Sequence, residues 1–516
     1  MNAAVALSSP ERFYDQARQA FEDIVRSLNS EEARSMTHSE LERDLEKKGR
    51  ELMRKLLQEH LQTRGPGQCA QPVRDADGVE RTRLRLHERK LESIFGTVAT
   101  ERAGYGNEAS RSLHPLDAEL NLPDERYSLE LRRRVAEEAA KSSFDETLES
   151  IGKNTGSHVP KRQIEELVMR AAVDFDAFYQ LRQARPAEIE QTAPILVMSV
   201  DGKGVVMRTR DLREQTRKAA IKRKHKMGAR LSKGEKKNAK RMATVAAVYT
   251  IAPFVRKPED LICENARAGP TRPRPERKRV WASLENTPEE VIEKAFEEAF
   301  SRDPEHQKKW VALVDGNKPQ IRILRRMAKK KGIDLTIIVD VIHVIEYLWN
   351  AGRVFYPSGS ELEDWVRVRL VEVLRGNAGY VAGGMRRSAT LRSLTPAVRE
   401  PVDTCANYLL TYGPHLKYDD YLAKGFPIAT GVIEGACRHL VKDRMQVTGA
   451  RWSLTGAEAV LRLRALRSSH DFDEYWTFHE SKEYDRNHRA LYADGIVPPT
   501  VKPNAPRKRG HLKAVK

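Results

Sequence analysis

Three short apolar runs each end on an aspartate: ILVMSV leads into Asp201, WVALV into Asp315 and LTIIV into Asp340. Runs of this length, rich in Val and Ile, suit strands and are too short for helices. An aspartate that closes a buried strand stands at the rim of its sheet, where open α/β sheets place their sites. That pattern directs the chain toward an α/β fold with carboxylates gathered at one sheet edge.

The surrounding elements extend the pattern. PILVMSVDGKGVVMRTR reads as two strands joined by a hairpin at Gly202-Lys203-Gly204. MATVAAVYTIAPF is a third strand. AGPTRPRPERKR at 268–279 follows as a Pro-rich basic connector. Thr287, Pro288 and Glu290 open the helix PEEVIEKAFEEAF. WVALV is the fourth strand, Pro319 opens a helix, LTIIV is the fifth strand, and the helix VIHVIEYLWNAG follows at once. GVIEGACRHLVKDRM forms a further helix from Gly431. Three strands followed by alternating helices and strands give a mixed sheet with helices on its faces, in the order of an RNase H-like fold. The core then occupies 191–350 and 426–480, with 351–425 as an all-helical insertion.

The N-terminal half is helical and basic. Residues 1–126 form a helical and mixed region, with a charged helix at 31–63. Around 75–112, Ile94, Phe95, Thr97 and Val98 flank Gly96 and suit short extended pieces. In 127–190, Ser128 caps LELRRRVAEEAAK, and Ser143 with Glu146 forms a capping box for FDETLESIG. Pro160 opens the helix KRQIEELVMRAAVDFDAFY. This arrangement resembles a helix-turn-helix, with a plain helical bundle as the alternative. Lys161, Arg162 and Gln163 begin the helix that would read base edges.

The 516 residues carry a formal net charge of +18. Such a surplus points to a polyanionic partner, because Lys and Arg gain free energy by releasing phosphate counterions. The surplus is concentrated at 208–241, with fifteen Lys and Arg against three acids. That composition, with Lys222, Arg223 and Lys224 at its centre, suits a DNA-contacting arm; a solvated excursion is the alternative. The four cysteines are far apart, which offers no zinc pair and fits a reducing cytoplasm. MNAAVALSSPERFYDQ does not read as a signal peptide, and no apolar run approaches a membrane span. A cytoplasmic, nucleoid-associated protein with no membrane partner is expected. Residues 481–516 read as a basic disordered tail.

Asp201 and Asp315 at strand ends, with Glu434 in the first turn of a helix, are the candidate catalytic carboxylates. Three such groups can hold two Mg²⁺ or Mn²⁺ ions, which prefer oxygen ligands and together can activate a nucleophile and stabilise the leaving oxygen of a phosphodiester. Asp340 competes with Asp315. It begins an Asp-x-x-His element with His343, a pair suited either to ligating a metal or to a buried hydrogen bond. Asp315 is preferred because its strand comes fourth in the order. Beside Glu434, Arg438, His439, Lys442 and Arg444 supply positive charge for phosphates. In Arg451-Trp452, the ring would stack on an unpaired base or sit in the core.

SVDGKGVVMR, VDGNKPQ, VDVIHVIEYLWNAG and ATGVIEGACRHLVKDRMQVTGARWSLTGAEAVLRLRALRSS together resemble DDE transposases of bacterial insertion sequences. The likeness is to the ISKra type and, more distantly, to the Mutator-like group. SLHPLDAELNLPDERYSLELRRRVAEEA and VPKRQIEELVMRAAVDFDAFY are similar to that family's N-terminal half, so the likeness spans roughly residues 85–480. It implies an RNase H-like core, a triad of Asp201, Asp315 and Glu434, and a divalent metal. It also implies that DNA strands are cut by water and then joined through a 3′-hydroxyl. Double-stranded DNA, as element ends and target, would be the partner of a homodimer or larger assembly. Asp340 and His343 match the Asp-x-x-His element of related transposases. A non-catalytic DNA-binding protein and a nuclease or resolvase on the same fold are the rival readings.

Overall fold

The computed structural model describes residues 14–108, 110–185, 192–222, 239–262, 271–447 and 449–502. These sort into two compact units, one up to Asp174 and again from Asp473, the other from Phe175 to Phe472.

In the first unit, helices Asp15–Leu28 and His38–Thr63 precede an antiparallel hairpin of β1 (Arg83–Ser93) and β2 (Gly96–Gly106). The short extended pieces expected here are thus two eleven-residue strands that turn at Ile94-Phe95. Helices Leu129–Lys141, Phe144–Asn154 and Lys161–Ala171 follow. Ser128 caps the first through Leu131 N, and Ser143 and Glu146 cap the second reciprocally. Each cap satisfies backbone N–H groups that a helix start leaves without partners. The helix from Lys161 ends at Ala171 rather than continuing, and Phe175–Ala184 is a separate helix of the second unit.

The disordered tail expected from 481 is corrected for 481–502. Helix Phe472–Asn487 continues into that stretch, and Tyr492 is buried against Val73, Ala103, Tyr105 and Leu113. His488 and Thr500 add anchors, through Leu122 O and a bridge to Cys69. Aromatic and histidine side chains between the charges provide the contacts that a purely polar tail lacks. Residues 503–516 lie outside the described residues.

The second unit is α/β, with one mixed sheet of five strands: β3 (Ile195–Val206), β4 (Lys240–Ile251), β5 (Glu276–Ser283), β6 (Lys309–Val314) and β7 (Leu335–Val339). Their spatial order is β5-β4-β3-β6-β7. β3, β4 and β5 pair antiparallel, while β3, β6 and β7 pair parallel. Residues 195–200 are buried without a break, so helices and loops cover both faces of β3. Thr287 and Glu290 form the expected capping box of helix Pro288–Arg302, and Asn317 caps Lys318–Lys331. Helices Ser360–Leu374, Ala378–Leu391, Pro396–Tyr412 and Tyr418–Ala423 follow, so 351–425 is largely helical.

Two strand assignments are corrected. Gly202-Lys203-Gly204 is not a hairpin; β3 runs through it, paired along its length with β4. A Cβ on Gly204 would lie 2.9 Å from Lys240 Cδ, so its glycine lets a β4 side chain lie across the strand. Conversely, the basic connector ends inside β5. Arg279 is buried with its guanidinium 3.4 Å from the Tyr179 ring centre and 4.6 Å from that of Trp281, paired with Glu298. Aromatic faces and a carboxylate together shelter a charge that otherwise resists burial.

Of the basic arm, residues 208–222 form a short turn and helix Glu214–Ile221, and Lys240 and Arg241 belong to β4. Lys222 is exposed, while Arg223 and Lys224 lie outside the described residues. Among the described residues, no helix is long and apolar enough to cross a membrane.

Candidate active site

The sheet itself brings the aspartates together. Ser199 of β3 pairs in register with Leu313 of β6, and Ser199 Oγ donates to Leu313 O at 2.8 Å. Two residues further on in each chain segment come Asp201, still within β3, and Asp315, the first residue after β6. Val314 pairs with Val339 of β7, which puts Asp340 next in line beside Asp315, and Asp340 N donates to Val314 O at 2.9 Å. Burial and then the Asp201 carboxylate push the Asp315 carboxyl above its usual range. Like charges held close disfavour the second ionisation.

Glu434 is exposed on helix Gly431–Ala436, which packs on β3 and β4. Side chains fasten both ends of that helix. At its start, Thr430 donates its hydroxyl to Asp340 Oδ2 and lies 3.5 Å from Glu434 Oε1. Just beyond its end, Cys437 Sγ donates to Asp201 Oδ2 at 3.0 Å. The chain then widens into a π-helical turn, Cys437–Lys442, a rare geometry frequent at functional sites. Sequence reasoning misses Thr430 and Cys437. Their positions four residues before and three after Glu434 are the signal that could have found them.

Asp315 and Asp340 differ in the hydrogen bonds each carboxylate makes. Asp340 is fully buried and caps helix Val341–Phe355: Oδ1 accepts from Ile342 N at 2.9 Å. Its Oδ2 faces Thr430 and, at 3.4 Å, His343 Nδ1. Of the two roles open to Asp340 and His343, the pair makes the hydrogen bond. Asp340 raises the His343 pKa to about 9 against the opposing effect of burial, with Asp315 adding to the rise. Asp315 is only partly buried, and its Oδ1 accepts from Asn317 N at 3.1 Å. Asp201 and Asp315 are partly buried and Glu434 is exposed, whereas Asp340 is fully buried. Carboxylate oxygens suit a hard divalent cation, but among the described residues Asp201, Asp315 and Glu434 do not form a group whose ligand atoms all lie within 4.8 Å of one another.

Residues assigned to DNA divide into two groups. Arg438 and Arg451 are exposed, and Arg438 lies 3.7 Å from Asp443. Arg444 and Trp452 are corrected: both are buried. The Trp452 Nε1 donates to Met445 O at 3.1 Å, its backbone bonds to Val206 and Arg208, and the Arg444 guanidinium lies 4.9 Å from its ring centre. The ring is core and presents no face to a base. In the first unit, Lys161 pairs with Asp145 at 2.7 Å, and Arg162 and Gln163 both contact Glu166. All three lie on the first turn of helix Lys161–Ala171.

A second acidic cluster lies in the first unit. Ligand atoms of Asp174, His479 and Glu483 fall within 4.8 Å of one another, and all three residues are buried. Two arginines already serve them. Arg132 Nη1 contacts His479 Nε2 at 3.0 Å and Glu483 Oε2 at 2.8 Å, while Arg486 bonds Asp174 and Glu483. His479 Nδ1 bonds Asp174 at 2.7 Å. Two guanidiniums at the cluster disfavour a further cation, and we assign it as a buried ion network.

No protein-family model matches the chain, and no curated protein matches it.

Proposed function

We propose that the chain is a DNA transposase that cuts and joins DNA at Asp201, Asp315 and Glu434. The observation that supports this reading is the parallel pairing of β3 and β6 up to Ser199 and Leu313, two residues before Asp201 and Asp315, with the helix that carries Glu434 tied to Asp340 and Asp201 through Thr430 and Cys437. Three antiparallel strands continued by two parallel ones support an RNase H-like assignment for the sheet.

Asp201, Asp315 and Glu434 would hold the divalent metal. Bound there, Mg²⁺ or Mn²⁺ supplies Lewis-acid polarisation of a phosphodiester and acidification of the attacking hydroxyl. The protein's own part is positional. Strands β3 and β6 carry the two aspartates, and the Thr430 and Cys437 contacts fasten the helix that carries Glu434 to Asp340 and Asp201. Arg438 and Arg451 hold backbone phosphates without reading sequence. The helix beginning at Lys161 reads the element's ends in the manner of a helix-turn-helix, because metal chemistry at a phosphate needs no base identity. Two ends must be held for joining, so the working form is a dimer or larger assembly, associated with the nucleoid.

The test is nicking of supercoiled plasmid by the full chain. Conversion to open circle that requires Mg²⁺ or Mn²⁺ and disappears in Asp201→Asn supports the reading. Nicking that is unaltered in that variant contradicts it.

A further inference from the structure

The segment Tyr408–Tyr418 of the helical insertion sends four side chains to backbone carbonyls of β7 and the turn after β6. The Tyr408 hydroxyl donates to Asp315 O at 3.3 Å, and the Tyr412 hydroxyl donates to Gly316 O. His415 Nδ1 donates to Ile337 O at 3.0 Å, and the Tyr418 hydroxyl donates to Val339 O at 2.7 Å. Strand ends at an open rim ordinarily give such carbonyls to water. Here an inserted segment takes them.

The first two bonds fall on the turn that carries a proposed metal ligand. Gly316 has φ 93, and a Cβ there would lie 3.0 Å from the Tyr408 hydroxyl. The tyrosines can approach only because residue 316 lacks a side chain. Tyr408 is fixed in turn by stacking on Tyr347, ring centres 4.1 Å apart, and by Tyr412 at 4.7 Å. The Asp315 carboxylate is itself restrained locally by the Asn317 N–H on Oδ1. Two consecutive carbonyls held by rigid rings set the backbone angle from which that carboxylate projects.

We infer that Tyr408 and Tyr412 are positioning residues for Asp315, so that the helical insertion, and not the sheet alone, sets the geometry of the metal site. This rests on the reading of Asp201, Asp315 and Glu434 as metal ligands. It also gives the insertion a means of coupling whatever it binds to the chemistry at the rim.

The experiment measures Mg²⁺ and Mn²⁺ affinity of the DNA-free full chain, by calorimetry and by electron paramagnetic resonance of Mn²⁺, in wild type, Tyr408→Phe, Tyr412→Phe and Asp315→Asn. Phenylalanine keeps the ring stack and removes only the hydroxyl. Groups one shell behind a ligand typically alter metal affinity by about 10–100-fold, so each Phe variant should weaken Mg²⁺ binding by about tenfold. Mn²⁺ binding should weaken less, because Mg²⁺ demands the stricter octahedral geometry. Thermal unfolding run in parallel separates this effect from reduced stability, since a purely structural role would lower the melting temperature without altering the Mg²⁺-to-Mn²⁺ preference. Loss of binding in Asp315→Asn with both Phe variants within about twofold of wild type, well under the expected range, overturns the inference alone. Unchanged binding in Asp315→Asn overturns the metal-site reading and the inference with it.

Discussion

The Cys437 thiol donates to Asp201 Oδ2 at 3.0 Å, joining residues 236 apart in sequence. With the Thr430 hydroxyl on Asp340 Oδ2, it holds the Glu434 helix at both ends against the strand edge. The helix that carries Glu434 is thus tied to Asp340 and Asp201 through contacts that exist only in the folded chain. The four acids at this edge then have different duties, which substitution can separate.

Asp201→Asn, Asp315→Asn and Glu434→Gln should each cut metal-dependent cleavage by at least about 100-fold, beyond the usual cost of a supporting group, while leaving thermal stability near wild type. Asp340→Asn should do the reverse. It weakens a helix cap and the Thr430 and His343 contacts, at a cost of about 1–3 kcal/mol. Cleavage rates and melting curves on the four variants are the check. A stable, inactive Asp340→Asn would transfer the second catalytic role to Asp340.

His343 should make stability depend on pH in a defined sense. Asp340 raises its folded-state pKa from 6.5 to about 9. The stabilisation that comes with a raised pKa is present in full below about 6.5 and disappears as the pH climbs through about 9. Allowing for the ring's partial exposure, the contribution is about 1 kcal/mol, or about 1–2 °C in melting temperature for a unit of this size. His343→Gln should therefore melt lower than wild type at about pH 6 and alongside it at about pH 10. A gap that widens with pH would contradict the pairing.

Trp452 and its neighbour Arg451 should separate core from surface. Trp452→Ala should cost about 3–5 kcal/mol, as removal of a buried ring does. The protein that stays folded at low temperature should bind DNA as wild type does. Arg451→Ala and Arg438→Ala should leave stability unchanged and lower the salt slope of DNA binding by about 0.9 for each phosphate no longer held. Fluorescence anisotropy across a salt series, paired with melting curves, distinguishes the two effects.

The Asp174, His479 and Glu483 cluster should behave as an ion network. Arg132→Met strands buried acids without their partner and should destabilise by about 3–5 kcal/mol. A chelator should leave the melting temperature of the wild-type chain unchanged. A chelator-induced drop that Zn²⁺ or Mn²⁺ reverses, and that His479→Ala abolishes, would make the cluster a metal site instead.

The features legible in the sequence are those that local chemistry decides. Ser128, Ser143 with Glu146, and Thr287 with Glu290 cap the helices they are expected to cap, because a cap needs only the next three residues. Asp315 follows β6 directly, as its apolar run implies, whereas the strand end expected at Asp201 is corrected: Asp201 lies inside β3, which β4 pairs as far as Val206. The errors lie where distant residues decide. The Gly202-Lys203-Gly204 hairpin fails because β4 pairs straight across it. β5 is concealed by Arg279, whose charge looks solvated until Tyr179, Trp281 and Glu298 enclose it. Tyr408 and Tyr412 stand one helical turn apart, but nothing in that spacing names the carbonyls they meet.

The most direct measurement is a strand-transfer assay with the full chain, Mg²⁺, and end-labelled DNA from the borders of the genomic segment that carries this coding sequence. The expected result is cleavage that exposes a 3′-hydroxyl, followed by joining of that end to unlabelled target DNA. Both steps should vanish in Glu434→Gln and without the metal. Cleavage with no joined product would contradict a transposase and leave a nuclease. Joining that survives in Glu434→Gln would contradict the site itself.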